Sequence, residues 1–181
     1  MARANVLFLL SGSIAAYKAC TVISRLAQAG VTVQTAATPA ALRFIGAATL
    51  EGLSGRPVFS NLWEEGRALD HIELAREADL ALLCPATANT INRLAVGLAD
   101  DPVGALFLAW ELKQKPWWIA PAMNHCMWEH PATTNSLAKL REWGVRVLDP
   151  VDGPHACGEN GAGRLMEPEA IAAEVLATLK K

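Results

Sequence analysis

Apolar and polar positions follow one another along the chain in blocks that predict alternating strands and helices. Residues 6–10 form a continuous apolar run, which is typical of a strand covered on both faces. Gly30 ends a helical pattern that starts at residue 14, and glycine is a common helix stop. The chain as a whole predicts strands at 6–10, 31–36, 79–84, 117–120 and 145–148. It predicts helices at 14–29, 39–53, 71–78, 103–112, 131–143 and 168–179, with another that ends at residue 94.

This order of elements indicates the fold class. Strands that alternate with helices of this length imply parallel βαβ units, and hence an α/β protein with a doubly wound, open parallel sheet. In such a sheet, ligands bind beyond the carboxyl ends of the strands. We therefore expect the segments that follow three of the strands, 11–15, 85–90 and 121–124, to meet at one crevice. Segment 149–163 is rich in glycine and proline and predicts a long polar loop.

Composition narrows the class of protein further. The chain has 181 residues, of which 52% are apolar, and a formal charge of −2. We expect a single domain over residues 1–181, with no nucleic-acid partner because basic residues do not cluster. The apolar run 6–10 is too short for a signal peptide, and no stretch approaches the roughly 20 residues of a membrane span. Four cysteines without CxxC spacing suit a reducing cytoplasm, and no histidine or cysteine spacing predicts a metal site.

Ser-Gly-Ser at 11–13 connects the first predicted strand to the first helix. Small residues let a backbone approach a ligand, and a helix start offers N–H groups and a positive dipole end to an anion such as phosphate. The segment lacks the GxGxxG pattern of dinucleotide sites. The alternative interpretation is a tight turn in which Ser13 caps the helix.

Polar groups also follow the third and fourth predicted strands. Segment 87–90 supplies two hydroxyls and a carboxamide, which suit a ribityl chain or the edge of a flavin, although Thr87 could simply cap a helix. Asn124 is placed to donate to a carboxylate, while Met123 and Met127 could pack against a flavin or a substrate. A structural asparagine in a loop is the alternative.

Two more residues have chemistry that the predicted crevice could use. His71 lies at the start of a short helix, and histidine is the residue type best suited to general-base chemistry near neutral pH, which makes it the readiest general base in the chain. A histidine of purely structural role is the alternative. Cys157 lies in the glycine-rich segment, where a thiol on a mobile flap could deliver a proton into a closed site. An incidental loop cysteine is the alternative there.

Together these segments closely resemble the homo-oligomeric flavin-containing cysteine decarboxylases, and among them the phosphopantothenoylcysteine decarboxylases. The resemblance extends over essentially the whole chain. Any one motif could arise by chance, but seven in order at sensible spacing are a specific signal. The chain departs from the family pattern at Pro102 and at Leu165, which leaves the local loop geometry open. The matching segments are 12–18, 71–74, 85–90, 99–101, 121–124 with Met127, 156–159 and 163–168.

The resemblance implies a flavodoxin-like, Rossmann-like three-layer sandwich that binds FMN. It implies a homo-oligomer, either a trimer or a dodecamer built of trimers, with the site at a subunit boundary. It also implies decarboxylation of 4′-phosphopantothenoylcysteine to 4′-phosphopantetheine in coenzyme A biosynthesis. A phosphopantothenate–cysteine ligase domain often follows in the same chain, and here it would lie in a longer chain or in a separate one.

The implied chemistry makes physical sense, because direct loss of CO₂ from a cysteinyl carboxylate would leave an unstabilised carbanion. Oxidation of CH₂–SH to a thioaldehyde by FMN would supply an electron sink, and the cofactor would later return its hydride. By motif, His71 would be the base, Asn124 would hold the carboxylate and Cys157 would protonate the enethiolate carbon. Arg76 would anchor the substrate's phosphate, and Met127 would contact the substrate. The residues implied to contact FMN are Gly12, Ser13, Ile14, Ala15, Thr38, Phe44, Thr87, Ala88, Asn89, Thr90 and Met123.

Three alternatives fit parts of this pattern. A flavin prenyltransferase would share the fold and FMN, but His71, the 121–124 segment and Cys157 together favour the decarboxylase. A lantibiotic-type peptidyl-cysteine decarboxylase would release the enethiol and would not need Cys157. A non-enzymatic flavin-binding regulatory subunit would typically carry a long acidic tail, which this sequence does not show.

Overall fold

A parallel sheet lies at the centre of the computed structural model, which describes residues 4–154, 158 and 160–180. Its strand order is β2-β1-β3-β4-β5, and all of the paired strands run parallel. The chain therefore winds outward from β1 in both directions, which confirms the predicted doubly wound, flavodoxin-like sheet. The strands are β1 (Asn5–Leu10), β2 (Thr32–Ala37), β3 (Leu80–Ala86), β4 (Trp117–Pro121) and β5 (Arg146–Val147).

Helices cover both faces of this sheet. Leu7 and Leu9 point to one face of β1, while Val6, Phe8 and Leu10 point to the other, because side chains alternate along a strand. Helices α1, α2 and α8 pack on the second of these faces, and α3, α4, α5 and α7 pack on the first. The helices are α1 (Ala16–Gln28), α2 (Ala47–Ser54), α3 (Asp70–Glu77), α4 (Ala88–Ala95), α5 (Pro102–Leu108), α6 (His125–Glu129), α7 (Pro131–Glu142) and α8 (Pro168–Leu179).

The predicted helix over 39–53 is wrong as a single element. A 3-10 helix spans Ala41–Arg43, and α2 begins only at Ala47. Gly46 separates them because its backbone is extended, with φ −66° and ψ 148°. The apolar periodicity on either side of Gly46 hid this break. Similarly, the helix predicted from residue 14 begins at Ala16.

The predicted polar loop over 149–163 is also wrong in part. Strands β6 (Val151–Pro154) and β7 (Asn160–Arg164) form an antiparallel pair within it. Such glycine-rich strands carry little sequence signal. Gly163 has φ +117°, and its carbonyl accepts a hydrogen bond of 2.9 Å from the Met123 backbone N–H. This hydrogen bond to the residues that follow β4 therefore helps to hold the hairpin in place. Helix α6, which is only five residues long, was not predicted either.

The two departures from the family pattern fit the fold without distortion. Pro102 occupies the first turn of α5, where a proline costs no helical hydrogen bond, and Asp101 caps that helix by accepting from the Gly104 N–H. Leu165 is buried in the core beneath α1 and α8. Within the described ranges, the longest apolar helices fall short of what a membrane crossing requires.

Candidate active site

The first two strand-end segments are joined by direct hydrogen bonds. The Ser11 hydroxyl donates to the Pro85 carbonyl at 2.7 Å, and the Thr87 N–H donates to the Ser11 hydroxyl oxygen at 3.0 Å. Thr87 also caps α4, because its hydroxyl oxygen accepts from the Thr90 N–H. The neighbouring positions of β1 and β3 in the sheet bring these segments together, as the parallel topology predicts.

A crevice of about 520 Å³ opens at this edge of the sheet, within the size range of small-ligand pockets. We call it the strand-end crevice. It confirms the expected convergence for segments 11–15 and 85–90; no residue of segment 121–124 is among its lining residues, although Met127, three residues later, is. It is lined by the predicted residues Gly12, Thr38, Thr87, Asn89, Thr90 and Met127 and by Pro39, Ala40, Arg93, Asp100 and Asp101.

Gly12 sets how closely two walls of the strand-end crevice approach each other. A Cβ at this position would lie 2.7 Å from the Ala40 Cβ and 3.0 Å from the Ala40 carbonyl carbon. Real side chains do not tolerate such distances, so the turn after β1 requires glycine for packing rather than for an unusual φ angle.

The start of α1, four residues after Gly12, is a candidate anion site. No side chain of the described residues caps the helix at Ala15, but two of its first N–H groups are already used: the Ala16 N–H donates to the Ser13 carbonyl and the Lys18 N–H to the Ala15 carbonyl, each at 3.0 Å. Ser13 instead orders the turn before it, since its hydroxyl oxygen accepts from the Ala15 N–H at 3.1 Å. The thirteen-residue helix α1 directs its positive dipole end towards this turn.

Arg93, Asp100 and Asp101 are lining residues for which the sequence analysis gave no role. The Arg93 guanidinium pairs with the Asp100 carboxylate and lies 3.9 Å from that of Asp101. These pairs tie α4 to the loop before α5 and hold one wall of the crevice. The signal that could have found them was the Ala-Asp-Asp motif at 99–101, with a basic residue on the preceding helix.

Asn124 has a defined amide orientation. Its Oδ1 accepts from the Met127 N–H at 3.0 Å and thereby caps α6. This bond assigns Oδ1 to the helix and leaves the Nδ2 amide as the donor of the side chain. Asn124 is partly exposed, and Met127, three residues later, lines the strand-end crevice.

Other residues predicted to touch a cofactor do not line this crevice in one chain. The large apolar side chains of Ile14 and Phe44 are 62% and 48% exposed. Met123 packs partly buried against the core under α7. Ser13, Ala15 and Ala88 lie in the same segments as lining residues without being among them.

His71 lies in a different cavity, of about 590 Å³, which we call the His71 cavity. Ala99 lines it, whereas Asp100 and Asp101 line the strand-end crevice, so segment 99–101 separates the two. One chain therefore does not bring His71 together with Gly12. The walls are largely apolar: Leu62, Trp63, Ala68, Ile72, Ala99, Ala105, Leu108 and Ala109.

Arg76 and Cys157 are the two remaining residues that the sequence analysis predicted for the site. Arg76 lies on α3 five residues after His71, which places it about 140° further around the helix. Its side chain is exposed and lines neither cavity. Cys157 lies outside the described residues.

Sheet topology and crevice define a doubly wound α/β protein with a ligand site at the point where the strand order reverses, between β1 and β3. The model of the family described as "Flavoprotein" matches residues 1–180. The chain belongs to this flavoprotein family.

Individual relatives extend the comparison. The chain is 42% identical over 170 residues to the coenzyme A biosynthesis bifunctional protein CoaBC of Mycolicibacterium smegmatis, covering 94% of this chain and 40% of the relative. It is 42% identical over 169 residues to the probable phosphopantothenoylcysteine decarboxylase of Streptococcus mutans, covering 92% of this chain and 94% of that protein. The chain thus spans about 40% of the length of its bifunctional relatives and nearly all of the shorter one.

Solved structures of similar proteins have the same fold over nearly the whole chain. A PPC decarboxylase mutant complexed with pantothenoylaminoethenethiol has a TM-score of 0.89 and 30% identity, over 99% of this chain and 100% of that one. The FMN binding protein AtHal3 has a TM-score of 0.86 and 30% identity, over 99% and 98%.

The residues present fit a flavin mononucleotide. The uncapped start of α1 suits a terminal phosphate, and hydroxyl and amide groups of segment 87–90 suit a ribityl chain. A side chain at position 12 would meet Ala40, so glycine is needed where these two walls of the crevice approach each other. The strand-end crevice therefore offers hydroxyl and amide groups of the kind that hydrogen-bond the polar parts of a flavin cofactor.

Proposed function

We propose that this chain catalyses FMN-dependent decarboxylation of 4′-phosphopantothenoylcysteine to 4′-phosphopantetheine, as a carboxy-lyase of coenzyme A biosynthesis in the cytoplasm. The observation that carries the proposal is the strand-end crevice, which is lined by Gly12, by the hydroxyls of Thr38, Thr87 and Thr90, and by Met127 of the helix that Asn124 caps. The Streptococcus mutans relative, whose name states this decarboxylase, supports it because almost its whole length is matched.

FMN is proposed to lie in the strand-end crevice. Its phosphate would bind at Gly12, Ser13 and the start of α1, and its ribityl chain along Thr38 and segment 87–90. Ile14 and Phe44, which are exposed in the single chain, would cover the ring. Bound there, FMN would supply the removal of a hydride from the substrate's CH₂–SH carbon and its return after CO₂ has left.

Asn124 is proposed to hold the substrate carboxylate. The cap on α6 already uses Oδ1, so Nδ2–H is the group that is left to donate to a ligand. A donor fixed in this way needs no reorientation when the carboxylate arrives, which favours binding. Met127, on the same helix and in the crevice wall, would pack against the substrate.

His71 is proposed to act in the crevice of a neighbouring copy, in a trimer or an assembly of trimers. Two unlike groups stand out among the exposed apolar residues. Ile14, Phe44 and Met127 belong to crevice segments, whereas Trp63, which is 88% exposed, and Leu108 line the His71 cavity. Contact between two unlike surfaces is heterologous, and it forms a ring where the rotation between copies closes, which is consistent with a cyclic homo-oligomer.

Within such a site, a ring nitrogen of His71 would take the thiol proton as the substrate is oxidised. Cys157 would give its thiol proton to the enethiolate carbon when the hydride returns. The imidazolium of His71 would return its proton to the product thiolate, and one proton from solvent would restore Cys157, which balances the loss of CO₂ from a carboxylate. Arg76 would bind the substrate's phosphate from the same helix as His71. A phosphopantothenate–cysteine ligase, on the same or a separate chain, would supply the substrate.

Substitution of His71 tests the function. His71→Asn is expected to keep its FMN and to lose CO₂ release, whereas Glu73→Gln on the exposed side of α3 is expected to turn over normally. Normal turnover by His71→Asn would exclude it as the base. Absence of decarboxylation in the unmodified protein, with turnover of dimethylallyl phosphate, would instead identify a flavin prenyltransferase.

Mixed oligomers test the shared site. His71→Asn and Asn124→Asp are each expected to be inactive, but rings assembled from equal amounts of both would contain about a quarter of their sites with His71 and Asn124 both intact. Recovery near that fraction would support a site at the subunit boundary. If mixing recovers no activity although hybrid oligomers form, His71 and Asn124 do not meet between copies.

A further inference from the structure

Helix α3, which carries His71, has little apolar contact to fix its position. It spans only eight residues, and Ala75 is its buried residue. Isolated helices of this length are marginal in water, so the position of α3 depends on its tertiary contacts. Polar anchors at its two ends therefore matter more than they would for a helix with a wide buried face.

The carboxyl end of α3 is anchored by one side chain from a distant part of the sequence. The Lys115 ammonium donates to the backbone carbonyl of Ala75, to that of Arg76 at 3.1 Å and to that of Ala78 at 2.9 Å. These three acceptors match the three donors of an ammonium group. They are carbonyls at or just past a helix end, where acceptors lack helical partners and a cation is favoured by the dipole.

Lys115 is itself fixed relative to the sheet. Its Nζ lies 4.5 Å from the centroid of the Trp110 ring, and the Trp110 indole N–H donates to the Lys115 carbonyl at 3.0 Å. The next residue, Pro116, accepts from the Ala81 N–H of β3 at 3.0 Å. Burial lowers the pKa of the Lys115 ammonium, although Glu111 and Asp79 oppose this.

The amino end of α3 is braced separately. The Arg67 guanidinium contacts the Asp70 carboxylate at 2.6 Å and the Glu64 carboxylate at 2.9 Å, directly before His71. His71 therefore lies on a short helix that is braced at its start and attached to the sheet at its end.

We propose that Lys115 is a positioning residue for His71: it ties the end of α3 to the sheet and so holds the imidazole at the place where the reaction needs it. The inference rests on the proposed function, because it takes His71 as the base. Lys115 contacts backbone carbonyls of α3 and acts only through the helix.

The test uses the full, FMN-loaded oligomer of three variants. Lys115→Met keeps the aliphatic chain and removes the donors, Lys115→Arg keeps the charge, and Lys113→Met is the matched control on a neighbouring exposed lysine. Lys115→Met is expected to lower kcat roughly tenfold to hundredfold, with KM and FMN content unchanged, since misplacement by about 1 Å has effects of this size. Amide hydrogen exchange in α3 is expected to accelerate in the same variant. Lys115→Arg is expected to recover part of both properties.

The outcome is decided by comparing the rate of amide hydrogen exchange in α3 with kcat in each variant. If Lys115→Met does not fold, Lys115→Arg is measured in its place. A folded, FMN-loaded Lys115 variant in which α3 exchanges faster at normal kcat would overturn the proposal. Normal exchange with a lowered kcat, or no change in either, would overturn it as well. The proposed function fails in a different way, through normal turnover by His71→Asn or absent decarboxylation in the unmodified chain.

Discussion

Replacement of Asn124 by aspartate separates the two tasks of this side chain. In the structure, Oδ1 caps α6 and Nδ2 is the donor proposed for the substrate carboxylate. Aspartate is as good an N-cap as asparagine, so the Met127 N–H keeps an acceptor. The variant therefore removes only the donor and places a negative charge where a carboxylate should bind.

The expected loss follows from these two changes. A hydrogen bond to a charged group contributes about 1.5–3 kcal/mol. Repulsion between two carboxylates at 4 Å adds about 1 kcal/mol even at the dielectric constant of water. A total of at least about 2.5 kcal/mol corresponds to roughly a 70-fold fall in kcat/KM. Because the cap persists, the free energy of unfolding is expected to change by less than about 0.5 kcal/mol.

The assay measures kcat/KM from CO₂ release, FMN content from visible absorbance and Tm by calorimetry. Asn124→Ala is the matched comparison, because it also loses the cap, at about 1 kcal/mol. Its Tm is expected to fall by about 2–4 °C. Should Asn124→Asp turn over within a few-fold of the unmodified protein, or lose stability as Asn124→Ala does, the assignment of the two amide atoms is wrong.

Two further predictions concern the framework of the site. A Cβ at Gly104 would overlap the Leu98 carbonyl oxygen, so Gly104→Ala is expected to lower the free energy of unfolding by about 1–3 kcal/mol. Gly52→Ala in α2, where a Cβ meets no neighbour, is expected to cause no such loss. Calorimetry that finds the two variants equally stable would contradict this. Burial raises the pKa of the Cys84 thiol far above its ordinary 9.0, so peptide mapping after iodoacetamide treatment at pH 8 should find exposed Cys126 modified and Cys84 unmodified. Cys84 keeps its proton in the folded protein, whereas the same thiol in the unfolded chain loses it, so the free energy of unfolding is expected to decline as the pH rises above 9.0. Equal alkylation of Cys84 and Cys126 would contradict the burial of Cys84.

The local pattern of apolar and polar residues was sufficient to predict the sheet and the position of the strand-end crevice. Continuous apolar runs such as 6–10 identify buried strands, and helices between them require parallel connections, which place the carboxyl ends of β1, β3 and β4 at the same edge. Gly12 and Thr87 therefore line one crevice, and Asn124 follows the end of β4 at the same edge, for a reason that the sequence already contains.

Tertiary structure alone decided the remaining features. The break at Gly46 and the β6–β7 hairpin depend on backbone conformations and on docking against Met123, which hydrophobic periodicity does not record. The anchoring of α3 by Lys115 joins residues about 40 positions apart. The separation of His71 from the strand-end crevice arises because segment 99–101 packs between the two cavities. Periodicity reports which face of an element is buried, but contacts between distant segments determine which element buries it and where a side chain finally lies.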